Sequence, residues 1–124
     1  MKVLVVDDET DVQVLFEQRF RREIRAGEFQ FAFAHSGEKA MDYLNQQSSE
    51  YILILSDINM PGMSGLELLQ KIRTIYPTSP PTVMMITAYG DADSYNQAMQ
   101  LGADAFLTKP LDFTNLKEKL KSAL

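Results

Sequence analysis

Asp7, Asp8 and Glu9 stand in a row after the apolar run Val3-Leu4-Val5-Val6. Asp57 closes a second apolar run, behind Leu55 and Ser56. Thr87 closes a third, and Lys109 follows a fourth. Together these residue types can carry out phosphoryl chemistry. A carboxylate such as Asp57 can act as a nucleophile and form an acyl phosphate. Three or more carboxylates gathered at one place repel one another unless a cation sits between them. Hard oxygen ligands in an incomplete cage, with no histidine or cysteine among them, select Mg²⁺, which keeps waters and shares oxygens with phosphate. Lys109 and the metal would neutralise charge on the phosphoryl oxygens, and Thr87 would offer one of them a hydroxyl. Taken singly, each residue has an ordinary explanation. Acids after a strand cap helices, a lone Asp favours turns, and a Lys before Pro faces solvent. Their common position at the ends of separate runs is what favours chemistry.

That position depends on the elements around them. Short β-branched runs alternate with helical patterns, the rhythm of a parallel sheet covered on both faces. Strands are expected at Lys2 to Val6, Phe29 to Ala34, Tyr51 to Leu55, Val83 to Ile86 and Ala105 to Leu107. The second should place Phe29, Phe31 and Phe33 on one face, and the third, apolar throughout, should be central. Val12, Leu15, Phe16, Phe20 and Ile24 recur at helical spacing from Thr10 to Arg25. Further helices are expected after Ser36, after the Ser64/Glu67 capping pair, before Gly102 and after Asp112. Five strands and five helices then make an α/β, doubly wound, flavodoxin-like domain over residues 1–124, with strand order 2-1-3-4-5. In such a sheet, ligands gather beyond the carboxyl ends of the strands, where the polar residues fall.

Composition narrows the functions further. The 124 residues are 45% hydrophobic and 23% charged, with no cysteine and a net charge of -5. Disulfides and cysteine-bound metals are therefore excluded. The acidic balance disfavours binding to nucleic acid or to anionic membranes. No apolar run approaches the roughly 18 residues of a membrane span. A strand beginning at Lys2 leaves no signal-peptide pattern, and a cytoplasmic domain is expected.

The chain strongly resembles the receiver domain of bacterial two-component response regulators. The matching residues are Leu4 to Glu9, Asp57-Ile58-Asn59-Met60-Pro61-Gly62-Met63-Ser64-Gly65, Thr87-Ala88, Gly102-Ala103-Asp104 and Lys109-Pro110. They occur in the family's order along the whole chain. The resemblance implies that Asp57 accepts a phosphoryl group from a sensor histidine kinase. It implies that Asp8 binds Mg²⁺ directly, Asp7 through water and Asn59 through its main-chain carbonyl. Thr87 and Lys109 would contact the phosphoryl group, Ala88 would leave it room, and the bond before Pro110 would be cis. Such a domain is a switch and no enzyme in the usual sense, since it catalyses only its own phosphorylation and dephosphorylation. The family's switch couples Thr87 to an aromatic three residues before the lysine, here Phe106. It changes the face made by the fourth helix, fifth strand and fifth helix. An output domain or downstream protein reads that face, and phosphorylation can also drive homodimerisation. Phe106 departs from the pattern in lacking the hydroxyl a tyrosine would offer. Asn59 and Tyr89 occupy positions that tune acyl-phosphate hydrolysis in this family.

Two other phosphate-handling functions fit less well. Haloacid-dehalogenase-like phosphatases place the nucleophile after the first strand, whereas Asp57 follows the third. A flavodoxin-like cofactor site would carry Ser, Thr and Gly where Asp7, Asp8 and Glu9 stand. A degenerate receiver is disfavoured by the intact Asp7, Asp8, Asp57, Thr87 and Lys109. Arg19, Arg21, Arg22 and Arg25 suit a helix C-terminus, and His35, the sole histidine, reads as polar surface.

Overall fold

The apolar runs form five strands: β1 (Lys2–Val6), β2 (Gln30–Ala34), β3 (Ile52–Asp57), β4 (Thr82–Thr87) and β5 (Ala105–Thr108). The structure is a computed structural model and describes residues 1–46, 52–77, 81–88, 90 and 92–123. All pairings are parallel, in the order β2-β1-β3-β4-β5. Register brings the carboxyl ends level, with Val6 opposite Ser56, Asp57 opposite Ile86 and Thr87 opposite Thr108.

Helices α1 (Asp11–Arg19), α2 (Arg21–Arg25), α3 (Gly37–Gln46), α4 (Gly65–Ile75), α5 (Ala92–Gln100) and α6 (Phe113–Ser122) fill the connections. Strand residues alternate between two buried layers, the consequence of a period of two in a sheet covered on both sides. Leu4, Val6, Ile54, Val83 and Met85 pack with Ala40 and Leu44 of α3, Leu69 and Ile72 of α4 and Ala98 of α5. Val3, Val5, Leu53, Leu55 and Ile86 pack on the opposite side with Phe16 of α1 and Leu116 and Leu120 of α6. Phe29, Phe31 and Phe33 join that second layer, as their spacing predicts.

The expected helix ends are capped as predicted. Ser64 Oγ accepts from Glu67 N–H at 3.2 Å and Asp112 Oδ1 from Asn115 N–H at 3.2 Å. Ser36 Oγ accepts from Lys39 N–H at 3.1 Å. Each cap satisfies a donor that the first turn leaves without an intrahelical partner.

The first helix differs from expectation. It divides at Phe20, where φ is -105° and ψ is 19°, so the described residues form six helices instead of the five expected. The Phe20 ring is fully buried. It lies 4.9 Å from Phe31, 5.7 Å from Phe29 and 6.0 Å from Phe113. We attribute the bend to that packing, since aromatic pairs at these distances add to the burial of the ring. The face expected at the fourth helix, fifth strand and fifth helix is therefore α5–β5–α6. No helix among the described residues is long and apolar enough to cross a membrane.

Candidate functional site

Four strand ends build the site. Asp7 follows β1 and is held by main-chain and side-chain contacts together. Its N–H donates to Ala34 O at 3.1 Å, and its Oδ1 accepts from Glu9 N–H at 2.9 Å. Asp57 is the last residue of β3, the middle strand of the sheet. Asp7 and Asp57 are 7% and 5% exposed, whereas Asp8 is exposed. Each of the three offers a carboxylate oxygen within 4.8 Å of the others. Carboxylates this close favour a shared cation, and an all-oxygen donor set open to solvent on the Asp8 side fits Mg²⁺.

The protein supplies one cation itself. Lys109 Nζ lies 3.2 Å from Asp7 Oδ2 and 3.4 Å from Asp57 Oδ2. β5 and the Lys109 N–H bond to Thr87 O (2.8 Å) aim that side chain across the strand ends. The Lys109–Pro110 peptide is cis, as expected. Burial raises the Asp57 carboxyl above its ordinary value, and the Asp7 charge raises it further. Lys109 and the Asn59 main-chain N–H only partly offset them. Burial alone would lower the Lys109 ammonium, but Asp7 and Asp57 outweigh it and its pKa is raised. The carboxylates thus hold Lys109 charged, and without a metal Asp57 is short of positive charge.

The loop after β3 is held tightly. Ile58 N–H donates to Ile86 O at 2.9 Å, and Gly65 N–H to Ile58 O at 2.8 Å. A Cβ on Gly65 would overlap the Asp57 carbonyl oxygen and come within 2.8 Å of Ile58 Cα. Glycine is what lets α4 start against the backbone of Asp57, so the spacing from Asp57 to Gly65 has a steric cause.

Thr87 is fully buried at the end of β4, and its Oγ1 accepts from Asn59 Nδ2 at 3.4 Å. Phe106 lies opposite Met85 in register, is half-buried, and meets Tyr95 of α5 edge-on at 5.5 Å. The structure therefore brings Asp7, Asp8, Asp57, Asn59, Thr87 and Lys109 to one sheet edge, and places Phe106 on β5 behind them. Ala88 is exposed beside the site. Tyr89 lies outside the described residues. Two contacts had no sequence signal: the Asn59–Thr87 bond and a 3.1 Å contact from His35 Nδ1 to Asp7 O. His35 Nδ1 donates there, since a carbonyl only accepts. A groove of 810 Å³ between α1 and α6 reaches the site at Asp7 and Lys109, walled by Val12, Leu15, Phe16 and Phe113.

The model of the response regulator receiver domain matches residues 3–121. The chain belongs to the response regulator receiver family. This receiver is 36% identical over 98% of its length to response regulator RppA of Synechocystis, of which it spans 50%. It is 30% identical to sporulation initiation phosphotransferase F of Bacillus subtilis, covering 99% of this chain and 93% of that one. Its fold is similar to response regulator TrrA of Thermotoga maritima in complex with Mg²⁺-BeF. There the TM-score is 0.79 and the identity 31%, over 99% of this chain and 98% of that one. Receiver domains are phosphoacceptor switch domains that bind Mg²⁺ at the acidic site. They are phosphorylated by histidine kinases and act on output domains or partners.

Proposed function

We propose that Asp57 is the phosphoacceptor of this receiver and that the whole stretch 1–124 works as the switch. The observation that carries the reading is the buried Asp57 carboxylate at the end of the central strand, with Lys109 3.4 Å away and Asp7 and Asp8 beside it. A carboxylate oxygen of Asp57 attacks the phosphorus of a kinase phosphohistidine. The P–O bond forms as the P–N bond breaks, and the imidazole leaves with the bonding pair. Mg²⁺, held by Asp7, Asp8, Asp57 and the Asn59 carbonyl, would supply the charge neutralisation that lets a polyanion approach three acids. Lys109 moves its charge from the carboxylates to a phosphoryl oxygen, and Thr87 donates its hydroxyl to another. Water later attacks the same phosphorus, the P–O bond to Asp57 breaks, and inorganic phosphate leaves as the carboxylate is restored. The groove between α1 and α6 gives the donor imidazole an approach beside Lys109.

Drawing Thr87 toward the phosphoryl group frees space beside Phe106, and the α5–β5–α6 face changes. An output domain, a downstream protein or a second copy of the chain reads that change. Such a small displacement biases an element with two arrangements. Acetyl phosphate with Mg²⁺ should add one phosphoryl group by intact mass, and EDTA should prevent it. Equal labelling of Asp57→Asn would sink the assignment. Thr87→Ala should still be labelled, yet beryllofluoride should no longer shift its backbone resonances over residues 92–119.

A further inference from the structure

The Thr87 hydroxyl is fully buried, and a buried hydroxyl seldom goes without a partner. One partner here is the side chain of Asn59, 28 residues away on the loop that follows the acceptor strand. Asn59 is exposed, so its carboxamide would lose little by turning to water. We propose that the Asn59 carboxamide is the resting-state latch of the switch, holding Thr87 Oγ1 until the phosphoryl group draws the Thr87 hydroxyl away. The inference rests on Thr87 being the hydroxyl that meets the phosphoryl group.

The chemistry of the exchange follows from the donors. Asn59 Nδ2–H donates to Thr87 Oγ1, a neutral bond at 3.4 Å, long for its type. A phosphoryl oxygen instead accepts the Thr87 proton in a charge-assisted bond, about twice as strong as a neutral one. The two bonds use different sites of the hydroxyl, a lone pair for Asn59 and the proton for the phosphoryl oxygen. They exclude one another only through the shift of Thr87 toward the phosphoryl group, and the switch keeps the difference between them. The latch thus sets how far the resting domain leans toward its activated form before any phosphoryl group arrives. It is distinct from the proposed metal ligand on the same residue, which is the main-chain carbonyl. A side-chain truncation at position 59 removes the latch and keeps that carbonyl.

Phe106 and Tyr95 report the state of the switch, since their rings meet at 5.5 Å and Tyr95 is 47% exposed. Ring and backbone NMR shifts of these residues, with and without beryllofluoride, define a resting and an activated end point in the parent. Removing one net hydrogen bond from the resting form should raise the activated-to-resting ratio about fivefold. Asn59→Ala without beryllofluoride should therefore move along the line joining the two end points, and Thr87→Val should abolish that movement in the double variant. Asn59→Ala resonances that stay at the parent's resting position would overturn the latch. So would a movement of the same size on the Thr87→Val background, which would place the action of Asn59 elsewhere. A parent that does not respond to beryllofluoride at all would instead remove the phosphoacceptor reading, and the latch with it.

Discussion

Replacing Lys109 with methionine keeps the length of the side chain and removes the charge that the two buried carboxylates share. At an effective dielectric of about 20, contacts of 3.2 and 3.4 Å are each worth about 5 kcal/mol before desolvation is counted. The Asp7–Asp57 repulsion, across no more than 4.8 Å, reaches about 3.5 kcal/mol on the same scale. These gross figures shrink because the Lys109 side chain is 26% exposed and partly hydrated. The net loss should fall between a surface pair, about 0–1 kcal/mol, and a broken buried one, about 3–5 kcal/mol. About 1–2 kcal/mol is expected, or a fall in Tm of roughly 3–10 °C for the metal-free protein. The raised pKa of Lys109 fixes the pH window. Its contribution is complete below the ordinary value of 10.5 and is lost as pH rises through the higher folded value. Mg²⁺ affinity should move the opposite way, because the metal need no longer displace the ammonium from Asp7 and Asp57. One to two kcal/mol corresponds to binding roughly 5–30-fold tighter. Calorimetric titration of MgCl₂ into both proteins, with thermal melts in EDTA, reads both quantities. Unchanged or weaker Mg²⁺ binding in Lys109→Met would refute the idea that lysine and metal compete for the same carboxylates.

Asp57→Asn should stabilise the metal-free protein at neutral pH. The raised Asp57 pKa means that its ionisation opposes folding, an effect absent below the ordinary value of 3.8 and complete above the folded value. The gain over the parent in urea unfolding should therefore vanish in acid, and a gain independent of pH would contradict it. Gly65→Ala should cost about 1–3 kcal/mol, because its Cβ collides with the Asp57 carbonyl and a backbone must shift; urea unfolding at the parent's midpoint would show the collision to be harmless. Asp8→Ala should weaken Mg²⁺ binding, and an unchanged titration would remove Asp8 from the ligand set.

The sequence carries most of this fold because the strand runs are clean and most helices bury one apolar face, although Leu15 and Ile24 of the first helical pattern are exposed. The apolar runs give the strands, and the Ser64 and Asp112 caps form where their spacing predicts. Strand ends were less legible. β3 runs on through Ser56 to Asp57, and β4 through Thr87, since parallel pairing continues past the last apolar residue. The bend at Phe20 was hidden because the helical repeat passes through it unchanged, while its cause lies in rings on β2 and α6. The acids, the threonine and the lysine announce the site by sharing strand ends, which needs only topology. The Asn59–Thr87 bond and the His35 contact with Asp7 depend on loop conformation, and no local pattern encodes it.

The most direct test is to find which carboxylate carries the phosphoryl group. Borohydride reduces an acyl phosphate to an alcohol, so a phosphorylated aspartate becomes homoserine and survives digestion and tandem mass spectrometry. After treatment with acetyl phosphate and Mg²⁺, homoserine should appear at position 57 and nowhere else. Homoserine at position 7 or 8, or none at position 57 in a labelled protein, would contradict the account.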